Sequence, residues 1–346
     1  MTVPEIPARS PAPLAASSLP LQERRWYRTT VLTGLAVLVV AAGLLAVGWG
    51  TIDLTPGQVV SALVHTDDSW HRVVWDIRLP RMLLAALVGM NLATSGTILQ
   101  AVMANPLADP SIIGISSGAG LVGIAILVIH PENQTLVPPL GFAGAMAAAL
   151  TIYALAWRGG IQPLRIILAG VAVSALCGAG ISAVMVLYSD RVQGALMFMN
   201  GSMSLRGWTE LRMIWPYSLV ALAITLMVDS RLNILVLGDD VAGSMGMNVQ
   251  ASRLFFTTLA ALLAAVSVAA VGLLSFVGLI VPHIMRLVLG SDHRVLIPGS
   301  ILCGAALLML SDTLSRTLFS PVEIPVGIAM AALGVPFFLF LLRRTL

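Results

Sequence analysis

The sequence contains no lysine, only two cysteines and few charged residues, and each shortage excludes a class of protein. Of its 346 residues 10% are charged and 58% are hydrophobic, whereas an ordinary soluble domain has roughly 25% charged residues. Such a chain has too few polar groups to cover its apolar surface in water. A lipid bilayer must therefore surround much of it, and a soluble fold is excluded.

The absence of lysine excludes a P-loop ATPase site. The motif G-x-x-x-x-G-K-[ST] needs its lysine to reach the phosphates of the nucleotide, and all 19 basic residues of this chain are arginine. There is also no basic run of the kind that binds nucleic acid. We therefore expect neither ATP hydrolysis nor nucleic-acid binding by this chain.

The few cysteines and histidines predict no metal site, no disulfide and no catalytic residues. Cys177 and Cys303 both lie in apolar stretches, where free cysteine packs as a small hydrophobic residue. The five histidines occur singly, without the spacing of metal ligands. A membrane-embedded enzyme would need His, Asp or Ser side chains that converge at one depth, and the scattered histidines disfavour it.

Ten apolar segments predict an all-α, polytopic membrane protein, since a membrane-spanning helix needs roughly 20 mostly apolar residues. The segments are residues 31–49, 82–103, 112–130, 137–157, 166–188, 212–228, 254–271, 275–290, 297–318 and 325–342. The eighth is the shortest and contains Pro282. Residues 1–29 are polar and predict a disordered cytoplasmic tail, so that residues 30–346 form the transmembrane domain.

The distribution of arginine predicts that both termini are cytoplasmic. With the amino terminus inside, twelve arginines lie on cytoplasmic segments and seven on outer segments, as the positive-inside rule requires. The seven outer residues are Arg72, Arg78, Arg81, Arg191, Arg206, Arg212 and Arg316. An outer arginine opposes the rule and needs its own explanation.

Arg78 and Arg81 flank Pro80 at the predicted outer end of the second span. Proline suits the first turn of a helix, but two arginines lie unfavourably at the positive end of the helix dipole. They either extend to the lipid headgroups or bind an acidic partner outside.

Asp312 and Arg316 are four residues apart on a predicted helix, so we expect an intramembrane ion pair rather than a proton relay.

Residues 235–250, LVLGDDVAGSMGMNVQ, form the longest predicted cytoplasmic connection. Asp239 and Asp240 suit the first turn of a helix, and Val241 and Met245 place apolar side chains on one face. A short amphipathic helix outside the bilayer is expected to pack against another subunit. On the same side, residues 100–117 contain two prolines that each interrupt a helix, and this stretch predicts a tight hairpin.

Together these stretches resemble the FecCD-type permease family of ABC importers, the type II importers of iron–siderophores, haem and cobalamin. The matching motifs are RLPR at 78–81, NPLADP at 105–110, VGLIVPH at 277–283, GSDHR at 290–294 and EIPVGI at 323–328. The resemblance runs from about residue 75 to the carboxyl terminus. It implies ten spans in a bacterial inner (cytoplasmic) membrane and a second permease, either another copy or a paralogue.

The resemblance also implies partners and a cargo. Two cytoplasmic ATPase subunits would use ATP and Mg²⁺, while this chain binds no cofactor. A periplasmic or lipid-anchored substrate-binding protein would deliver a ferric siderophore, with haem or cobalamin as alternatives. An ion-coupled secondary transporter is the remote alternative, and Asp312 is the only good candidate for its coupling residue.

Two groups of site residues follow from the resemblance. The ATPase-coupling residues are Gly238, Asp239, Asp240, Val241, Ala242, Ser244, Met245 and Gly246. The residues that would dock the binding protein are Arg78, Arg81 and Arg316. Many relatives carry an arginine where this chain has Gly243, so the detailed contact with the ATPase is expected to differ here.

Overall fold

The structure, a computed structural model, describes residues 22, 24–50, 52–111, 114–156, 163–320 and 322–345, and these residues form helices and loops without a strand. The α-helices are α1 (Arg25–Gly48), α2 (Pro56–Val64), α3 (Leu79–Val102), α4 (Ile115–Ile129), α5 (Val137–Ala156), α6 (Pro163–Leu187), α7 (Val192–Met199), α8 (Trp208–Leu235), α9 (Asp239–Ser244), α10 (Val249–Val271), α11 (Val277–Leu289), α12 (His293–Thr317) and α13 (Val326–Thr345). A π-helix, Val73–Arg78, leads directly into α3.

Ten of these helices coincide with the ten predicted spans. Seven are long and apolar enough to cross a membrane, and α4, α11 and α13 are shorter apolar helices. The fold is therefore the predicted polytopic helical membrane fold.

The start of α1 differs from the sequence prediction. The helix begins at Arg25, so residues 25–29 of the predicted tail are helical, because arginine and tryptophan are stable at headgroup depth and let a helix extend beyond the apolar core. The predicted disorder of residues 1–21 and 23 lies outside the described residues.

Helices α3 and α10 form the centre of the bundle. Their most apolar windows are 83% and 78% buried, against 17% for α1. Close contacts at glycine hold α3 in place: a Cβ atom on Gly96 would lie 2.0 Å from the carbonyl oxygen of Gly278, and one on Gly89 would lie 2.1 Å from that of Gly304. Glycine permits this approach where lipid supplies no hydrophobic drive for helix association.

Pro282 is accommodated within α11 by a side chain from α3. Proline has no N–H to donate to the carbonyl four residues earlier, which here belongs to Gly278. Gln100 replaces that donor, since its Nε2 lies 3.2 Å from the Gly278 oxygen. Its Oε1 accepts a hydrogen bond of 2.9 Å from Arg286. The eighth span is thus helical despite its proline because a distant glutamine satisfies its backbone.

The two ends of the bundle carry different chemistry. Helix α3 begins near Arg81, and α1 and α12 end beside it; we call this the Arg81 end. Helix α8 ends beside α9, and Arg28 in the first turn of α1 lies 3.4 Å from Asp292 just before α12. We call this the Asp239 end. Ten crossings return the carboxyl-terminal helix to it.

Candidate functional site

A cluster of ionised side chains occupies the Arg81 end. The guanidinium group of Arg81 binds Asp312 through two nitrogens, with Nε–Oδ2 at 3.0 Å and Nη2–Oδ1 at 2.9 Å. Its Nη1 lies 2.9 Å from Oε2 of Glu323, in the loop before α13. Paired, charge-assisted hydrogen bonds of this kind are among the stronger ones in proteins. The cluster therefore ties together the second span, the ninth span and the loop that precedes the tenth.

Arg78 and Arg316 bind the carboxyl-terminal end of α1. Arg78 donates from Nη1 to the carbonyl oxygens of Val47 (2.7 Å) and Gly48 (3.0 Å). Arg316 donates to the carbonyl of Ala46, and its Nε lies 3.6 Å from Asp312. The last carbonyls of a helix lack intrahelical partners and carry the negative end of its dipole, so two cations stabilise them.

The three arginines predicted to dock a binding protein are buried within this chain. Arg78, Arg81 and Arg316 are 6%, 8% and 8% exposed, and each has the intrachain partners just described. These three side chains therefore do not extend to the lipid headgroups. Asp312 and Arg316 do lie within ion-pair distance, but Asp312 makes its shorter contacts with Arg81. Contact with an outside partner stays a prediction.

Glu323 is the one acid of the cluster with substantial exposure, at 40% of its side chain. Burial alone would raise the pKa of this carboxyl, but Arg81 and the Ser204 hydroxyl, which donates to it at 2.9 Å, outweigh burial and hold the pKa below its usual value. Glu323 is thus ionised at neutral pH, and its contact with Arg81 weakens only as the pH falls through that lowered pKa. Glu323 is the first residue of the EIPVGI motif, but the sequence predicted no role for it.

The Asp239 end presents the short helix predicted from residues 235–250. Gly238 precedes α9 with φ of 100°, a conformation that glycine adopts readily. Asp239 accepts a hydrogen bond of 2.7 Å from Arg253 of α10. Ala242 is fully buried, whereas Val241 and Met245 are 45% and 59% exposed. This helix is therefore fixed to the bundle on one side and offers an apolar face on the other.

The GSDHR motif joins three spans beside α9. Asp292 accepts from Asn233 of α8 at 2.8 Å and lies 3.4 Å from Arg28 of α1. Partial burial would raise the pKa of Asp292, but the hydrogen bonds from Asn233 and the Arg294 backbone, together with Arg28, lower it. Asp292 thus links the end of α8 to the starts of α1 and α12.

Within the described ranges, no group of three or more His, Cys, Asp or Glu side chains is arranged to hold a metal ion. Cys177 and Cys303 are free thiols. What the two sites share is that each joins several helices at one end of the bundle.

A bundle of this kind, with an ionic cluster at one end and an exposed apolar helix at the other, defines a multi-pass helical membrane protein. The sequence model of the FecCD transport family matches residues 38–344, and the chain belongs to that family. The match begins at residue 38, well before the first motif at residue 78, and so includes part of α1.

Characterised relatives cover most of the chain. It is 39% identical over 310 residues to the Fe(3+)-citrate import system permease protein YfmE of Bacillus subtilis, covering 89% of this chain and 93% of that protein. It is 38% identical over 321 residues to the hemin transport system permease protein HmuU of Yersinia pestis, covering 90% and 94%.

A solved structure agrees with the fold. A metal-chelate type ABC transporter in an inward-facing conformation superposes with a TM-score of 0.82 at 29% identity, covering 91% of this chain and 99% of that one. The chain is therefore a FecCD-type permease of an ABC importer, a transport subunit of a family that works with ATPase and substrate-binding partners.

Proposed function

We propose that this permease imports a ferric siderophore, handed over by a substrate-binding protein and moved by two partner ATPase subunits that use ATP and Mg²⁺. The similarity to the Fe(3+)-citrate permease, over 89% of this chain, carries the proposal. A hydroxamate permease of Bacillus subtilis, FhuG, is 34% identical and points to the same class of cargo. Haem is the second candidate, since HmuU is nearly as similar as the citrate permease, and cobalamin follows it.

The cargo is tested by uptake in cells that lack this chain. Uptake of radiolabelled ferric siderophore is expected to fall at least tenfold and to return when the chain is supplied again, while uptake of haem and cobalamin is unchanged. Loss of haem or cobalamin uptake with normal siderophore uptake would overturn the proposed cargo and leave the permease function intact.

The proposed mechanism is alternating access driven from the Asp239 end, which lies in the cytoplasm together with both termini. Closure of the ATPase dimer on ATP presses on α9. Asp239 and Arg253 pass the movement to α10, and the hydrogen bond from Ser95 to the carbonyl of Ala260 (2.8 Å) links α10 to α3. The wide path between this subunit and a second permease then opens to one side or the other.

We also propose that the arginine cluster takes part in docking of the binding protein: the arginines attract the partner's acidic side chains, and Glu323 weakens that attraction. Because the arginines are buried and already bonded, acidic side chains of a partner meet Glu323 first and are repelled by it. Charge reversal at Arg78 or Arg81 would disrupt the bundle as well as docking. A change at the exposed acid separates these two effects.

Glu323→Gln is expected to raise the affinity for the binding protein about fivefold, mostly through faster association at low salt, because rim charges act mainly on encounter. Binding to the reconstituted permease, measured by surface plasmon resonance at two salt concentrations, checks it. Glu132→Gln is the matched control, since the Glu132 side chain is 64% exposed and lies outside the cluster. Unchanged or weaker binding by the Glu323 variant would contradict this docking role.

A further inference from the structure

A groove opens between the first turns of α3 and α8 at the Arg81 end, and none of the clustered ions lines it. Its volume is about 520 Å³. Three tryptophans, Trp75, Trp208 and Trp215, and one cation, Arg212, form part of its lining. The rest of the lining consists of aliphatic side chains, among them Leu83 of α3 and Leu219 of α8. The groove is thus apolar along its length, with one positive charge.

The aromatic part of the groove is held in a defined arrangement. The indole N–H of Trp208 donates to the carbonyl of Trp75 at 2.9 Å, and the two ring centroids are 5.7 Å apart. The His71 ring stacks nearly parallel on that of Trp75, with the two centroids 6.1 Å apart. An indole side chain that is fixed by packing or by a hydrogen bond loses few rotamers, and it offers a large apolar surface for contact. These contacts join the π-helix to α8 across the groove.

Arg212 is available to a ligand. Its side chain is exposed, and its guanidinium carbon lies 6.0 Å from the centroid of the Trp208 ring. The acid nearest to it in sequence, Glu210, is engaged by Arg206 at 3.4 Å and by the backbone N–H of Gly207 at 2.8 Å. In the part of the chain that the structure describes, Arg212 has no acidic partner.

We propose that this groove binds a phospholipid with an anionic headgroup, its phosphate at Arg212 and an acyl chain along Leu83 and Leu219. Both walls are membrane-spanning helices, and tryptophan and arginine at one level mark the boundary between headgroups and acyl chains. Guanidinium matches the geometry of phosphate. Leu83 and Leu219 are 37% and 52% exposed farther along their helices, where lipid surrounds the protein. An acidic soluble partner would match Arg212 but not this apolar floor.

This site also accounts for one arginine that the topology left unexplained. Arg212 is among the seven arginines on the side that the positive-inside rule disfavours. A bound anionic lipid supplies a negative charge that no described residue provides at Arg212.

The test uses the full chain in phosphatidylcholine vesicles that contain a small fraction of lipid brominated on its acyl chains, because bromine quenches nearby tryptophan fluorescence. Brominated phosphatidylglycerol is expected to quench more than brominated phosphatidylcholine, with a preference of about fivefold for one arginine–headgroup contact. Arg212→Gln retains all seven tryptophans and is expected to remove the preference.

Arg72→Gln is the matched control, since Arg72 is an exposed arginine at the same end that does not line the groove; it is expected to keep the preference. Equal quenching by the two lipids in the native chain, or a preference that survives Arg212→Gln, would overturn the proposal. An equal loss in the Arg72 variant would indicate diffuse surface charge instead. Absence of quenching by either lipid would also overturn the proposal, because lipid would then not reach the groove.

Discussion

Asp312→Asn is expected to lower the free energy of unfolding by about 3–5 kcal/mol, the usual cost of removing one partner from a buried ionic network. The change keeps the size of the side chain but removes its charge. Arg81 then retains only the half-exposed Glu323, and Arg316 retains only the carbonyl of Ala46. Two guanidinium groups at 8% exposure are left without a buried anion, which is why the expected loss is large.

The measurement is a denaturant or thermal unfolding curve of the purified chain in detergent, with the folded fraction followed by size-exclusion chromatography. Asp190→Asn is the control, because the Asp190 side chain is 76% exposed and lies 3.6 Å from Arg191. Exposed pairs contribute about 0.2–1 kcal/mol. Asp312→Glu, which keeps the charge, should recover part of the loss. Equal, small effects of Asp312→Asn and Asp190→Asn would show that the cluster does not hold the bundle together.

Val241→Asp is expected to reduce ATP-driven uptake at least tenfold while leaving the stability of the isolated chain unchanged. Val241 is half-exposed on α9, so a charge there meets water in the free chain. In the proposed complex the same position is covered by the ATPase, and a charge without a partner at the centre of an interface costs about 2 kcal/mol or more. The defect should therefore appear only on assembly.

Co-purification of the ATPase and uptake into proteoliposomes measure this effect. Val60→Asp is the matched control, since Val60 is 61% exposed on α2 at the opposite end of the bundle; it is expected to leave ATPase binding unchanged. If Val241→Asp binds the ATPase and transports normally, α9 is not the coupling element.

The spans and α9 could be predicted because their signals are local. Hydropathy over about 20 residues locates a span, and Gly238 followed by two acids marks the start of a helix. The start of α1 at Arg25 was missed because headgroup anchoring extends a helix beyond its apolar core. Span positions were therefore predictable to within a few residues, and span ends were not.

The contacts that build the sites could not be predicted from spacing. Arg81 contacts Asp312, which lies 231 positions away in the chain. Helical periodicity indicated only the pairing of Asp312 with Arg316, four residues away in sequence. The carbonyl freed by Pro282 is satisfied by Gln100, 178 positions from Gly278. Trp208 reaches Trp75 across 133 positions. Each of these depends on which spans are neighbours, which hydropathy does not encode.

The source of energy tests the central claim most directly. The chain, reconstituted with its ATPase and binding protein in proteoliposomes, is expected to take up ferric siderophore only when ATP is supplied on the side of the ATPase, and to show no uptake when the ATPase is omitted. Uptake driven by a proton or sodium gradient without the ATPase would contradict the account and indicate an ion-coupled transporter.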